Sequence, residues 1–409
     1  MASPIESILS PQDFAAARLP LDRASHVPGP IYYAPEVLRA EKQTIFLKDW
    51  LCVGRVEEVP NPGDYTTLKI LGEPILITRN EQGVLNAFGN VCAHRGVEVA
   101  NGSGKAQDGN FQCPYHGWLY DLSGRAVGTP FMRGVTDFNG KECRLPAVRF
   151  GTWAGWMFVC LDQQAEPLES FVAEFDEAFG FLKQEDCLLA DKLVFEVDCN
   201  WKLIVENLLD TYHASVVHGR TFGGHLKVKR QGLNAGRRLT RRGGSVNLYE
   251  AAPHTYSGKP LIGKMPALAD YPESFAASGF MAPNMHFFAR SENMRPCIHW
   301  PLSEKKTRLV YYNLFPKSFF GKPGFDEAVA AYRKYYTEVL EEDRAVLISL
   351  QNSMESVQNR PGRMAPLEAS IHHELNYYLA RMFGEPEAAS SVKIETSGVV
   401  PAVAQGGRV

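Results

Sequence analysis

Two short clips, Cys92-Ala93-His94 and Cys113-Pro114-Tyr115-His116, set four metal-competent side chains in two segments separated by eighteen residues. A fold that uses them together must bring the two segments face to face, which antiparallel β-loops do well. The surrounding sequence agrees. From Trp50 to about Asp162, short β segments are punctuated by turn signals such as Asn61-Pro62-Gly63-Asp64, Asn80-Glu81-Gln82-Gly83, Asp108-Gly109 and Ser123-Gly124, which predicts a compact all-β module. Coincidence is a poor account of two clips that share one Cys-before-His order. Zinc also accepts two sulfurs and two nitrogens, but zinc fingers usually group the cysteines together and the histidines together. Here each clip supplies one of each. Mixed clips suit an asymmetric centre in which one iron keeps two thiolates and the other takes two imidazoles.

On those residues, CAHRG and CPYHGWLYDLSG resemble the Rieske motif, and Gly117-Trp118 with the turn that follows strengthens the likeness. The eighteen-residue gap is at the long end of what that family shows. The resemblance implies that Cys92, His94, Cys113 and His116 bind a [2Fe-2S] Rieske cluster. Replacing two thiolates by neutral imidazoles removes negative charge and raises the reduction potential.

A cluster of that kind needs about a hundred residues, and the chain has 409. A second constellation lies in Asn207-Leu208-Leu209-Asp210-Thr211-Tyr212-His213-Ala214-Ser215-Val216-Val217-His218. A helix from about Trp201 would put Asp210 and His213, three apart, on one face. The five-residue step from His213 to His218 overshoots a turn, so both imidazoles reach one ion only if the helix distorts or ends between them. A lone pair of histidines on an amphipathic helix is ordinarily capped or exposed. An asparagine, an aspartate and two histidines on a largely apolar helix are costly without partners. Two histidines and a carboxylate around open positions form the ligand set of a non-haem Fe(II) oxygenase. A long helix is predicted over 324–357, with an apolar stripe of Tyr332, Tyr336, Val339, Leu340, Val346, Leu347 and Leu350 centred close to Asp343. As a metal ligand Asp343 would be deprotonated and neutralised by the ion; otherwise it is a satisfied buried acid, or the helix is slightly rotated.

In this order the two constellations resemble the α subunit of the Rieske non-haem iron oxygenases over nearly the whole chain. The pattern N-x-x-D-x-x-H-x-x-x-x-H is met by Asn207, Asp210, His213 and His218, and E-D-x₇-Q by Glu342, Asp343 and Gln351. The resemblance implies that His213, His218 and Asp343 bind a mononuclear Fe(II). It implies a homotrimer, α3, or α3β3 if a small β subunit exists, in which Asp210 bridges the Rieske site of one subunit to the iron of the next. It also implies an NAD(P)H-dependent reductase or ferredoxin as electron donor, with O2 and a small organic molecule as substrates. The expected fold is α+β: a Rieske all-β domain plus a helix-grip (START-like) catalytic domain with an antiparallel sheet. The expected division is an N-terminal helical segment over 1–40 packing on the catalytic domain, the Rieske domain over 41–165, the catalytic domain over 166–385 and a flexible tail over 386–409.

Composition narrows the function further. The net charge of −3 offers no case for nucleic-acid binding. No apolar run reaches eighteen residues, so no membrane span is expected. Eight scattered cysteines, and a first twenty-five residues without the apolar core of a secretory signal, predict a cytoplasmic protein. The texture of DTYHASVVH suggests a ring-hydroxylating mono- or dioxygenase acting on an aromatic acid, in aromatic hydrocarbon catabolism. The alternative within the family is oxidative demethylation of a quaternary ammonium or methoxy compound. A non-catalytic Rieske electron carrier with a binding domain is the alternative from another class. The basic run from Lys227 to Arg242 reads as a solvated loop.

Overall fold

A computed structural model of the chain describes residues 8–222 and 237–384. The tail expected over 386–409, most of the basic run 227–242 and the first seven residues of the expected N-terminal segment lie outside the described residues. The chain divides into two compact units, one of Phe46–Phe171 and one of the residues up to Ile45 together with those from Val172.

In the unit Phe46–Phe171 every paired strand is antiparallel. The strands are β1 (Leu51–Arg55), β2 (Asp64–Ile70), β3 (Glu73–Arg79), β4 (Leu85–Gly89), β5 (Ser103–Lys105), β6 (Asn110–Gln112), β7 (Leu119–Asp121), β8 (Ala126–Gly128), β9 (Arg149–Trp153) and β10 (Trp156–Cys160). They form three small sheets, ordered β1-β10-β9, β4-β3-β2-β5 and β6-β7-β8. The core beside the clips gathers Leu76, Phe111, Trp118, Tyr120 and Leu122, and Cys92 and Cys113 belong to it.

The second unit holds one seven-stranded antiparallel sheet. Its helices are α1 (Pro35–Glu41), α2 (Leu168–Phe179, which crosses the division), α3 (Trp201–Leu209), α4 (Ala214–Val217), α5 (Phe325–Met354) and α6 (Ala369–Phe383). Its strands are β11 (Cys187–Val197), β12 (Arg238–Leu239), β13 (Ser245–Glu250), β14 (Phe275–Met281), β15 (Met285–Arg290), β16 (Cys297–Ser303) and β17 (Lys306–Pro316), in the order β11-β17-β16-β15-β14-β13-β12. β17 is buried without a break from Leu309, as an interior strand covered on both faces should be. The α+β class expected from runs of strands bracketed by helices is the class observed. Among the described residues no helix is long and apolar enough to cross a membrane.

The buried face of α5 departs from the expected stripe. Leu340, Asp343, Leu347 and Gln351 are buried, but Val346 and Leu350 are exposed. A row at i, i+4 precesses by about 40° per step on a 3.6-residue helix, so the row from Asp343 through Leu347 to Gln351 leans away from Val346 and Leu350.

A buried polar knot holds α3 in place, and nothing in its sequence spacing announces it. Lys202 Nζ meets Glu41 Oε1 at 2.5 Å, with both side chains fully buried. Tyr378 OH donates to the same oxygen at 2.7 Å and Trp201 Nε1 to Oε2 at 2.8 Å. Tyr32 OH donates to Glu206 Oε1 at 2.7 Å. Breaking a buried pair leaves a charge stranded, so Glu41→Ala is expected to lower stability by about 3–5 kcal/mol, with Glu41→Leu/Lys202→Met recovering most of it. Denaturant midpoints of the three proteins check this. Nearby Glu374 is buried, and desolvation, with Glu206 adding to it, pushes its pKa up to about 8. The folded state therefore keeps a proton that the unfolded state releases, and stability is expected to fall as pH rises toward 8, by at most about 1.4 kcal/mol per unit. Stability curves of wild type and Glu374→Gln between pH 5 and 8 test the sign, because the difference between them should shrink as pH rises.

Candidate active site

The two clips close in the same way. In the first, Gly96 N–H donates to Cys92 O at 2.9 Å, and in the second Gly117 N–H donates to Cys113 O at 3.1 Å. Both glycines hold a positive φ, 79° and 71°, which a side chain would strain. Each clip thereby buries its cysteine and exposes its histidine. The imidazoles of His94 and His116 stand 4.6 Å apart between ring centroids, and Trp118 stacks on His94 at 5.1 Å. Tyr120 OH lies 3.2 Å from Cys92 Sγ and accepts from Ala93 N–H at 2.9 Å. Burial, and then the neighbouring Cys92, raise the pKa of Tyr120, so its hydroxyl stays a proton donor for a thiolate. Desolvation, with His94 and Arg95, lowers the pKa of His116 and favours the neutral ring that a metal requires. Two buried sulfurs behind two exposed nitrogens fit an asymmetric two-iron centre.

The second constellation forms where α3 stops. Asn200 caps its start, accepting from Lys202 N–H. The helix ends at Leu209, and Asp210 is already extended (φ −81°, ψ 120°). Asp210 and His213 therefore do not share a helix face, contrary to expectation. Asp210 instead closes a turn, Oδ1 accepting from Tyr212 N–H at 2.5 Å and Oδ2 from His213 N–H at 3.2 Å, which is the local competition by which aspartate ends helices. The short α4 then carries the chain to His218. The break expected between the histidines lies instead before His213, and the four residues between them form α4.

His213, His218 and Asp343 come together with one donor atom from each within 4.8 Å of the others, and could hold a metal ion. His213 Nε2 lies 3.6 Å and His218 Nε2 3.3 Å from Asp343 Oδ1. Each ring turns its other nitrogen to a second carboxylate, His213 Nδ1 to Asp210 Oδ2 at 2.9 Å and His218 Nδ1 to Glu342 Oε2 at 3.0 Å. Those bonds put the proton on Nδ1 and leave the Nε2 lone pairs pointing at one place. Burial opposes charge on Asp210, yet the hydrogen bond and charge of His213 outweigh it and lower its pKa. Burial likewise opposes charge on His218, and Asp343 and Glu342 outweigh that and raise its pKa. Asn207 Nδ2 donates to Asp343 Oδ1 at 3.4 Å. Gln351 Oε1 accepts from Asn200 N–H at 2.7 Å, which ties α5 to the start of α3.

Several features escaped the sequence reading. Glu342, named in the sequence only within the E-D-x₇-Q pattern, holds His218 and accepts from Thr221 Oγ1 at 2.6 Å. Its place beside Asp343 was the available signal. A cavity of about 260 Å³ opens on the triad, and His254, Arg290 and Arg295 reach it along with Phe222, Tyr249 and Phe288. Phe280, Met281, Met285 and Phe287 are buried in the core. His299, on β16, bonds Pro283 O through Nε2 at 2.9 Å.

Comparison with known proteins agrees with both halves of the chain. The family described as Rieske [2Fe-2S] domain matches residues 49–139, and that described as ring hydroxylating alpha subunit (catalytic domain) matches 184–384. The carnitine monooxygenase oxygenase subunit of Acinetobacter baumannii is 36% identical over 212 residues, 51% of this chain and 56% of that one. The chain thus spans little more than half the length of that curated relative. The chloroplastic choline monooxygenase of Arabidopsis thaliana is 27% identical over 373 residues, 87% of this chain and 82% of that one. A solved quaternary ammonium Rieske monooxygenase superposes with a TM-score of 0.73 at 25% identity, covering 92% of this chain and 98% of the other. With a Rieske domain ahead of a ring-hydroxylating α catalytic domain, and with the cluster and mononuclear iron that these domains imply, the chain belongs to the Rieske non-haem iron oxygenases.

Proposed function

We propose that this chain is the terminal oxygenase of a monooxygenase that oxidises a quaternary ammonium compound. The observation that carries the reading is the triad of His213, His218 and Asp343 opening onto a cavity that Phe222, Tyr249 and Tyr335 help to line. Aromatic faces attract a desolvated quaternary ammonium through their quadrupoles. Relatives named for carnitine and choline, and the solved quaternary ammonium enzyme, favour the same class. The aromatic-acid substrate, dioxygenation and aromatic hydrocarbon catabolism expected from the texture of DTYHASVVH give way to the alternative, because these relatives act on quaternary ammonium compounds as monooxygenases.

In this reading Cys92, His94, Cys113 and His116 hold the Rieske cluster, and His213, His218 and Asp343 hold the iron. The bound iron supplies open coordination positions for O2 activation, and the cluster supplies an electron. The net reaction inserts one oxygen atom of O2 into a C–H bond and releases the other as water, consuming two electrons and two protons. A reductase or ferredoxin drawing on NAD(P)H delivers the electrons. Asp210 and Glu342 orient the two imidazoles by accepting their Nδ1 protons, and Asn207 steadies Asp343. Asp210, part-exposed on the far side of His213, is placed to bridge to the cluster of a neighbouring subunit in a homotrimer.

Asp210→Ala is expected to keep both metal centres, measured as iron and acid-labile sulfide, while turnover falls about 10- to 100-fold or more. Normal turnover in that variant would remove the bridging and orienting role. The substrate class is tested by substrate-dependent O2 consumption and mass spectrometry of products, with a generic reductase, across L-carnitine, glycine betaine, choline and a set of aromatic acids. Oxygenated products from the quaternary ammonium compounds are expected, and products from the aromatic acids alone would overturn the proposal.

A further inference from the structure

The cavity holds charge that the iron site does not use. Arg290 ends β15 and Arg295 follows in the turn, only 6% and 9% exposed. Arg290 Nη2 contacts His254 Nε2 at 2.7 Å and Arg295 Nη2 contacts His254 Nδ1 at 3.0 Å. His254 is half-buried, and desolvation together with the two guanidiniums keeps it neutral. A neutral imidazole has one lone pair, so one of the two contacts sets N–H against N–H whichever tautomer is present. Arg290 Nη1 donates to Ala289 O at 2.8 Å, and Arg295 lies on the ring of Tyr336. Arg290 Nε, Arg295 Nε and Arg295 Nη1 have no hydrogen-bond partner.

Among the described residues no carboxylate pairs with either arginine. Glu292, adjacent in sequence, is turned to the backbone N–H groups of Leu261 and Ile262 at 2.8 and 3.0 Å. Glu250 accepts from Ser274 Oγ, and Asp210 and Asp343 are engaged by the histidines. Two buried guanidiniums facing one cavity are costly unless an anion completes them. The pair is placed to act on a ligand at the iron. His218 packs against Phe222 at 4.6 Å, and Phe222 stacks on His254 at 5.1 Å, so the arginines stand two ring contacts from the triad.

We infer that Arg290 and Arg295, bridged by His254, form an anion subsite that binds a carboxylate of the substrate while its reacting C–H lies at the triad. This rests on the proposed function and narrows it. Arginine forks match carboxylates, whereas a cation without an anionic group would meet two like charges in the cavity. The substrate is therefore a carboxylated quaternary ammonium zwitterion, and choline is a poor one.

The test combines ligands and variants on the full-length holoenzyme. Calorimetry without reductase, where no turnover occurs, is run with L-carnitine, its methyl ester, glycine betaine, choline and benzoate. Steady-state kinetics with reductase use the same panel. Wild type should favour a carboxylated quaternary ammonium over choline and the ester. Arg290→Gln and Arg295→Gln should weaken its binding by about 30-fold or more, with the loss in KM rather than kcat and with an unchanged Rieske absorption spectrum and iron content. Equal affinity of wild type for L-carnitine and its ester overturns the subsite, and needs no variant. Wild-type affinity for the preferred carboxylate in both spectroscopically intact arginine variants also overturns it. Arginine-dependent turnover of benzoate with none of the quaternary compounds would sustain the subsite while overturning the quaternary ammonium reading.

Discussion

A carboxylate buried between two imidazoles organises the catalytic unit. Asp343 sits on the covered face of a thirty-residue helix with its Oδ1 3.3 and 3.6 Å from two histidine nitrogens. Without partners, such a charge would cost several kcal/mol. Each of its neighbours has a corresponding restraint. Glu342 holds the far side of His218, Asp210 holds the far side of His213, and Asn207 reaches Asp343 from the last turn of α3. The result is a set of lone pairs aimed at one point before any ion arrives, which is how an outer shell fixes the tautomer and angle of metal-binding rings.

That arrangement depends on a helix that ends early. A helix continued past Leu209 would take Asp210 out of the turn in which it accepts from Tyr212 and His213. The turn closed by Asp210 sets where His213 leaves α3, the short α4 carries the chain on to His218, and the buried Lys202–Glu41 pair, with Tyr378 and Trp201, anchors the helix whose end the turn forms. The same logic operates in the unit Phe46–Phe171. Two glycines at positive φ close two loops of one design, and the depth difference between buried cysteine and exposed histidine separates the sulfur side of the centre from the nitrogen side.

Legibility in the sequence followed the range of the interaction. Cys92, His94, Cys113 and His116 were readable because each ligand pair lies within four residues. His213, His218 and Asp343 were readable because two spacings and a helical stripe pointed to them. Val346 and Leu350 were misplaced on that stripe because it was drawn through apolar residues alone, whereas the buried row runs from Asp343 through Leu347 to the polar Gln351. Arg290, Arg295 and His254 went unread. Nothing local marks an arginine in FFARSENMRP as lacking an acid partner, since charge compensation is settled by whatever the fold brings near.

By itself the sequence determined the chemistry available: two mixed Cys/His clips, two histidines and an aspartate in family order, and strands that alternate and turn in an α+β pattern. These are properties of short spacings, where backbone geometry alone decides which side chains can meet. Only the tertiary structure decided that Glu342 serves His218 and that two arginines share one cavity with the triad. Those outcomes depend on desolvation and on partners far apart in the chain, and neither exists until the sheet and α5 enclose them.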